Sequence, residues 1–107
     1  MSATFDVVYS QFADDPDLGE LIDLFVAEMP EKLSRMFRLY EACDWQELGR
    51  LAHQLKGSGG GYGFPQLTEP AARVESAAQL DDPAEPLLAE LTQLLQVARR
   101  LRGGNPA

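Results

Sequence analysis

A chain of 107 residues is long enough to bury one modest core and too short for two. Its formal charge of −8, with nine Lys and Arg against 17 Asp and Glu, argues against nucleic acid and anionic membranes as partners. One cysteine, Cys43, permits no internal disulfide, and one cysteine with one histidine cannot form a zinc site of the usual kind.

The N-terminal "MSATFDVVYS" has no basic segment followed by an apolar core, so no signal peptide is expected. No apolar run approaches the roughly 20 residues of a membrane helix. A cytoplasmic location is the expectation. "TFDVVYSQF" holds strand-forming residues, but its brevity and the following "ADDPD" turn favour a short N-terminal helix.

From about Asp17 to Glu41, Leu18, Leu21, Ile22, Phe25, Met29, Leu33, Met36, Phe37 and Tyr40 recur at helical spacing. Asp17 can cap this helix, with Glu20 three residues on. Pro30 removes one backbone hydrogen bond and predicts a kink rather than an end. The next helix begins after Cys43, with Asp44 as N-cap and Glu47 at the capping-box position.

On that helix Leu48, Leu51, Leu55, Ser58 and Tyr62 fall on one side at about 100° per residue. His53, the only histidine, falls on the other, beside Gly49, Arg50, Lys56, Gly57 and Gly60. The leucines therefore face the core and the histidine faces water. The run that follows holds Gly57, Gly59, Gly60, Gly61 and Gly63, and each glycine inside a helix costs about 1 kcal/mol relative to alanine. Either the helix ends near Gly57, or it continues and bareness is the purpose. In the second case Gly57 and Gly60, one and two turns beyond His53, would let another protein's backbone approach the imidazole. Gly59 and Gly63 would point inward.

A fourth block lies between Pro65 and Leu80, with Leu67, Ala71, Val74 and Ala78 as its stripe. Pro70 leaves two options, a turn followed by a helix from about Glu69 or one bent helix. After "DDPAEP", Leu87, Leu91, Leu94, Ala98 and Leu101 line up on a last helix. Arg99, Arg100 and Arg102 sit where its dipole favours cations. "GGNPA" reads as a frayed tail, so residues 1–102 form the domain and 103–107 the tail. The expected fold is all-α, an antiparallel four-helix bundle with a short additional N-terminal helix.

An exposed histidine with a lysine one turn away has no enclosed pocket for a small substrate. It suits a reaction whose other half arrives on another protein. A non-catalytic helical adaptor using the same face is the rival reading.

"AHQLKGSGGGYG" resembles the signature of histidine-containing phosphotransfer domains, roughly A-H-x-L-K-G-[SA]-[SAG]-x-x-x-G. Ala52, His53, Leu55, Lys56, Gly57, Ser58 and Gly63 match it position by position. The lead-in "ELIDLFVAEMPEKLSRM" is also similar, and the likeness runs from about Leu18 to Ala78. Its "GGG" is richer in glycine than many members. The resemblance implies that His53 is phosphorylated, that Lys56 stabilises the phosphoryl group and that Gly57 gives clearance to a response-regulator receiver domain. It maps to Glu75 the role of bonding the ring nitrogen that carries no phosphate. The partners it implies are receiver domains or a hybrid histidine kinase, with Mg²⁺ supplied by the receiver and no cofactor of the chain's own. Arg50, Gly57 and Gly60 are the expected partner-binding residues, and a monomer is expected. No glycine-rich loop precedes a lysine and Ser/Thr, so no nucleotide site and no autonomous kinase activity are expected.

Overall fold

A computed structural model describes residues 6–104. It is mostly helical. In chain order it holds β1 (Val8–Tyr9), α1 (Gly19–Glu41), α2 (Trp45–Gly61), a 3₁₀ turn at Pro65–Leu67, α3 (Thr68–Ala77), α4 (Ala84–Ala98) and β2 (Leu101–Arg102).

Helix α1 buries Ile22, Phe25, Met29, Leu33 and Met36, successive members of one three-to-four-residue stripe. It runs unbroken past Pro30, whose ring lies on the exposed side. Asp17 does not cap it. Leu18 stands at the N-cap, and the Asp17 amide instead donates to Asp15 Oδ1, because Asp15 closes a local turn first.

The turn from α1 to α2 is a six-residue closure. The amide of Asp44 donates to the carbonyl of Leu39 and that of Cys43 to Tyr40, with Cys43 at φ 57° in the left-handed position usually given to glycine. Asp44 then caps α2 by accepting from the Glu47 amide at 3.3 Å. The reciprocal half of a capping box is missing. Glu47 turns outward to two arginines, and the Asp44 amide is already spent on Leu39.

Helix α2 continues through the glycines to Gly61. It ends at Gly63, φ 86°, where the Gly63 amide donates to Gly60 and the Phe64 amide to Gly59. The buried face is centred on Leu48, Ala52, Leu55 and Gly59, so Leu51, Ser58 and Tyr62 sit at its half-buried margin.

Pro70 and Pro86 occupy the third positions of α3 and α4. The first four amides of a helix have no intrahelical acceptor, so a missing N–H costs nothing there. A turn at Pro65–Leu67 and a helix starting at Thr68 thus resolve the two options at Pro70.

Helix α2 packs against α1 and α3, and α4 against α3 and α1, around one core. The Tyr40 hydroxyl near the end of α1 donates to the Ala84 carbonyl at the start of α4. Phe25 stacks on Phe64 and tilts against Tyr62, closing the other end. Full burial of side chains such as Leu48, Leu87 and Leu91 is worth about 1.5–3 kcal/mol each.

Two expectations are corrected. Among the described residues, the N-terminal segment from Asp6 onward is not a helix. Val8–Tyr9 pairs in parallel with Leu101–Arg102, and turns follow at residues 11–14. The pairing partner lies more than 90 residues along the chain, so no local pattern could reveal it. Helix α4 stops at Ala98, with Arg99 as its C-cap, because Leu101 and Arg102 are taken into β2. The two-residue strands form the single sheet of the described residues. Of the tail, Gly104 donates its amide to Asp23 Oδ1 at 2.8 Å, and residues 105–107 lie outside the described residues, as do 1–5. Among the described residues, no helix is long and apolar enough to cross a membrane.

Candidate functional site

His53 stands on the ninth residue of α2, with its side chain 65% exposed. Its neighbours Ala52 and Leu55 are buried and fix the rotation of the helix about its axis. Across the seam, α3 buries Ala71, Val74 and Ala77. That leaves Glu75 on the side of α3 that faces α2.

Glu75 joins two side chains of α2, His53 and Lys56. Its Oε2 lies 2.9 Å from His53 Nδ1, and its Oε1 accepts from Lys56 Nζ at 2.9 Å. The Lys56 hydrogen bond, first, and the His53 contact, second, hold the Glu75 carboxyl below the usual range, against the opposing effect of partial shielding. An ionised carboxylate only accepts, so Nδ1 of the neutral ring carries the proton and Nε2 keeps its lone pair. The arrangement is an exposed nitrogen nucleophile whose tautomer is set by a carboxylate. That carboxylate is in turn kept charged by a lysine.

The bareness beside the ring has two parts. A Cβ added at Gly57 would meet nothing within 4 Å, and the same holds at Gly61. At Gly60 it would make only ordinary contact, 3.9 Å from Thr68 Oγ1. Gly59 faces inward, where a Cβ would come 3.0 Å from Leu67 Cβ.

Arg50, an expected partner-binding residue, is tied to its own helix. Glu47 holds it by two contacts, Nε to Oε1 at 2.7 Å and the terminal nitrogen to Oε2, and Glu47 also takes Arg35 at 3.3 Å. These bonds lower the Glu47 carboxyl and raise the Arg50 guanidinium from their ordinary values. The three-residue spacing of Glu47 and Arg50 on a helix is the signal that could have revealed this pair.

Sequence reasoning also missed a groove of about 430 Å³ beside the ring. Trp45, Gly49, Ala78 and Gln79 line it together with His53 and Glu75. Gly49 lies where the two helices meet, and a Cβ there would come into contact with Ala78 Cβ at 3.4 Å. Among the described residues, no group of three or more His, Cys, Asp or Glu side chains is gathered to hold a metal ion.

The family model described as "Hpt domain" matches residues 20–101, most of the chain, and the chain belongs to that family. It is thereby a phosphotransfer-capable module of two-component signalling. Hpt domains are phosphocarriers rather than kinases, and they interact with receiver domains and histidine kinases. No curated protein and no solved structure gives a match.

Proposed function

We propose that the protein is a phosphocarrier of a phosphorelay, taking a phosphoryl group on His53 Nε2 from an aspartyl phosphate of a receiver domain and returning it to one. The observation that carries this reading is the Nδ1–Glu75 contact at 2.9 Å on a ring whose other nitrogen is exposed. The Nε2 lone pair attacks phosphorus, the bond from phosphorus to the aspartyl oxygen breaks, and the carboxylate leaves with the electron pair. The ring, still protonated on Nδ1, becomes cationic. The Glu75 carboxylate offsets that charge as it develops, which favours the transition state.

Phosphoryl transfer passes through a loose transition state, so positioning and charge compensation are the protein's contribution. Lys56 begins bonded to Glu75 and would exchange toward the phosphoryl oxygens once these arrive. Mg²⁺ comes with the receiver, and the chain needs no cofactor of its own. Gly57 and Gly60 leave room for the partner's backbone, and Arg50 sits at the rim. Exposed Phe12, Leu21 and Leu24 supply apolar contact area. The apolar centre of this surface is read as running from Phe5 to Phe12 and into the start of α1, and Phe5 lies outside the described residues. The rest of the reading is a cytoplasmic monomer folded as an antiparallel four-helix bundle.

The test is incubation with a panel of ³²P-labelled receiver domains. Acid-labile label should appear on the wild-type chain and be absent from His53→Gln. Label on His53→Gln would move the acceptor elsewhere. A His53→Gln chain that sustains signalling in cells would make the protein an adaptor instead.

A further inference from the structure

The seam between α1 and α4 holds an open groove of about 530 Å³. Its floor is core, with Leu33 buried, and its walls are the half-buried Val26, Phe37 and Leu95. Arg99 and Arg102 line one end. His53 and Glu75 belong to a different seam, that between α2 and α3. Nothing in the phosphotransfer chemistry uses this groove.

The charges are its second feature. The chain is strongly acidic, yet among the described residues neither Arg99 nor Arg102 has a carboxylate within ion-pair distance. One terminal nitrogen of Arg102 is held by two backbone carbonyls, those of Arg99 and Leu101, at 2.9 and 2.8 Å. That contact fixes the guanidinium in place and leaves its other donors open. An apolar trough ending in two unpaired arginines is complementary to a ligand that is apolar on one side and acidic along its edge.

Length narrows the ligand further. From Val26 to Phe37, α1 rises about 16 Å at 1.5 Å per residue, the length of three helical turns. We propose that the α1–α4 groove is a second docking surface, separate from the His53 face, that receives an acidic amphipathic helix of a partner protein. A second copy of the chain fits less well, since each helix of the described residues already turns its apolar stripe into the core and has none left to lay in the groove. Residues 1–5, "MSATF", carry no acidic side chain to meet the arginines. Such a surface would let one protein remain tethered while a receiver visits His53. Tethering raises the effective concentration of the pair without any new contact at the reacting atoms.

The test screens the full chain against a displayed library of helices. Each helix has apolar residues at i, i+3, i+4 and i+7, and flanking positions randomised between Glu and Lys. Enriched sequences should carry Glu at the flanks. A synthetic copy of the leading one should shift the NMR signals of Val26, Phe37 and Leu95. Its binding should weaken at least tenfold in the Arg99→Glu, Arg102→Glu double variant. Ser34→Trp, which plugs the groove from an exposed position away from β2, should give the same loss. Groove binding should leave the NMR signals of His53 and Glu75 in place, a readout that does not depend on phosphotransfer. No enrichment, Lys-flanked winners or shifts confined to the α2–α3 seam would each overturn the proposal. So would groove shifts that vanish on dilution of the free chain, which assign the groove to a second copy. A gain in peptide affinity of tenfold or more on deleting residues 1–5 would assign it to the chain's own N-terminal segment.

Discussion

Gly57 and Gly63 are six residues apart in one glycine run, yet they answer to different demands. Gly57 lies on the open face of α2, where a side chain would touch nothing. Gly63 ends the helix at φ 86°, and a Cβ there would sit 2.9 Å from the Gln11 amide nitrogen and collide with the Ser10 hydroxyl. The Gln11 amide in turn donates to the Gly63 carbonyl at 2.8 Å, and Ser10 Oγ to the Tyr62 carbonyl at 2.5 Å. One glycine is required by the fold. The other is tolerated by the fold and required, on the phosphocarrier reading, by a visitor. A run of identical residues is therefore not one feature, and substitutions along it should separate stability from transfer.

The sharpest separation begins at Gly63. Gly63→Ala combines a left-handed backbone, about 1–2 kcal/mol for a residue with a Cβ, with crowding worth another 1–3 kcal/mol. The expected loss is roughly 2–5 kcal/mol, read as a lower midpoint in urea with the slope unchanged. A midpoint equal to wild type would mean that the N-terminal segment does not seat against this turn.

Gly57→Gln should show the opposite profile. Its melting temperature should hold or rise slightly, since glutamine is the better helix former by up to about 1 kcal/mol. Single-turnover transfer from a receiver should slow by about tenfold or more, because displacing the reacting atoms by an ångström can cost up to about a hundredfold. Equal rates would remove the clearance role.

A smaller effect is expected at Lys56, whose charge already serves Glu75. Lys56→Ala should fold normally and still accept phosphate, roughly two- to fivefold more slowly, the range an exposed charge contact supports. Complete loss of transfer would give the lysine a larger part than the geometry supports.

The smallest effect concerns acid. The Glu75 carboxyl is held below its ordinary value of 4.5, so its contribution to stability is present above that pH and fades as pH falls through the lowered folded value. Wild type should melt slightly above Glu75→Gln at pH 7, and the gap should close as pH falls below 4.5 and through the lowered folded value. A gap that does not narrow in acid would show that packing, not charge, distinguishes them.

Much of this was legible in the sequence because helical periodicity is local. The stripes of α1 and α4 needed only three-to-four-residue spacing, and Leu87, Leu91, Leu94 and Ala98 of α4 are all buried. Asp44 and Glu47 marked the start of α2. What stayed hidden depended on distant partners. Val8 and Tyr9 became a strand because Leu101 and Arg102 lie beside them. The end of α2 waited on a turn closed at Gly63 and braced by Ser10 and Gln11. At the site, spacing put His53 and Lys56 on one face, and the family pattern brought in Glu75. Only the fold revealed that Glu75 bonds both. The same fold dependence appears at Arg50, whose bond to Glu47 emerges only with the side chains in place.

The pairing of β1 with β2 has a mechanical consequence. The two strands run in the same direction, one near each end of the chain, and the Val8 amide bonds to the Arg100 carbonyl at 2.7 Å. Tension applied between the N- and C-terminal segments would pull these strands past each other along their length. The bonds joining them, with Arg100 Nε to the Asp6 carbonyl at 2.7 Å, would then bear the load together rather than open one after another. A patch of four residues thus acts as a shear clamp, and the helices behind it are shielded from stretching until it yields.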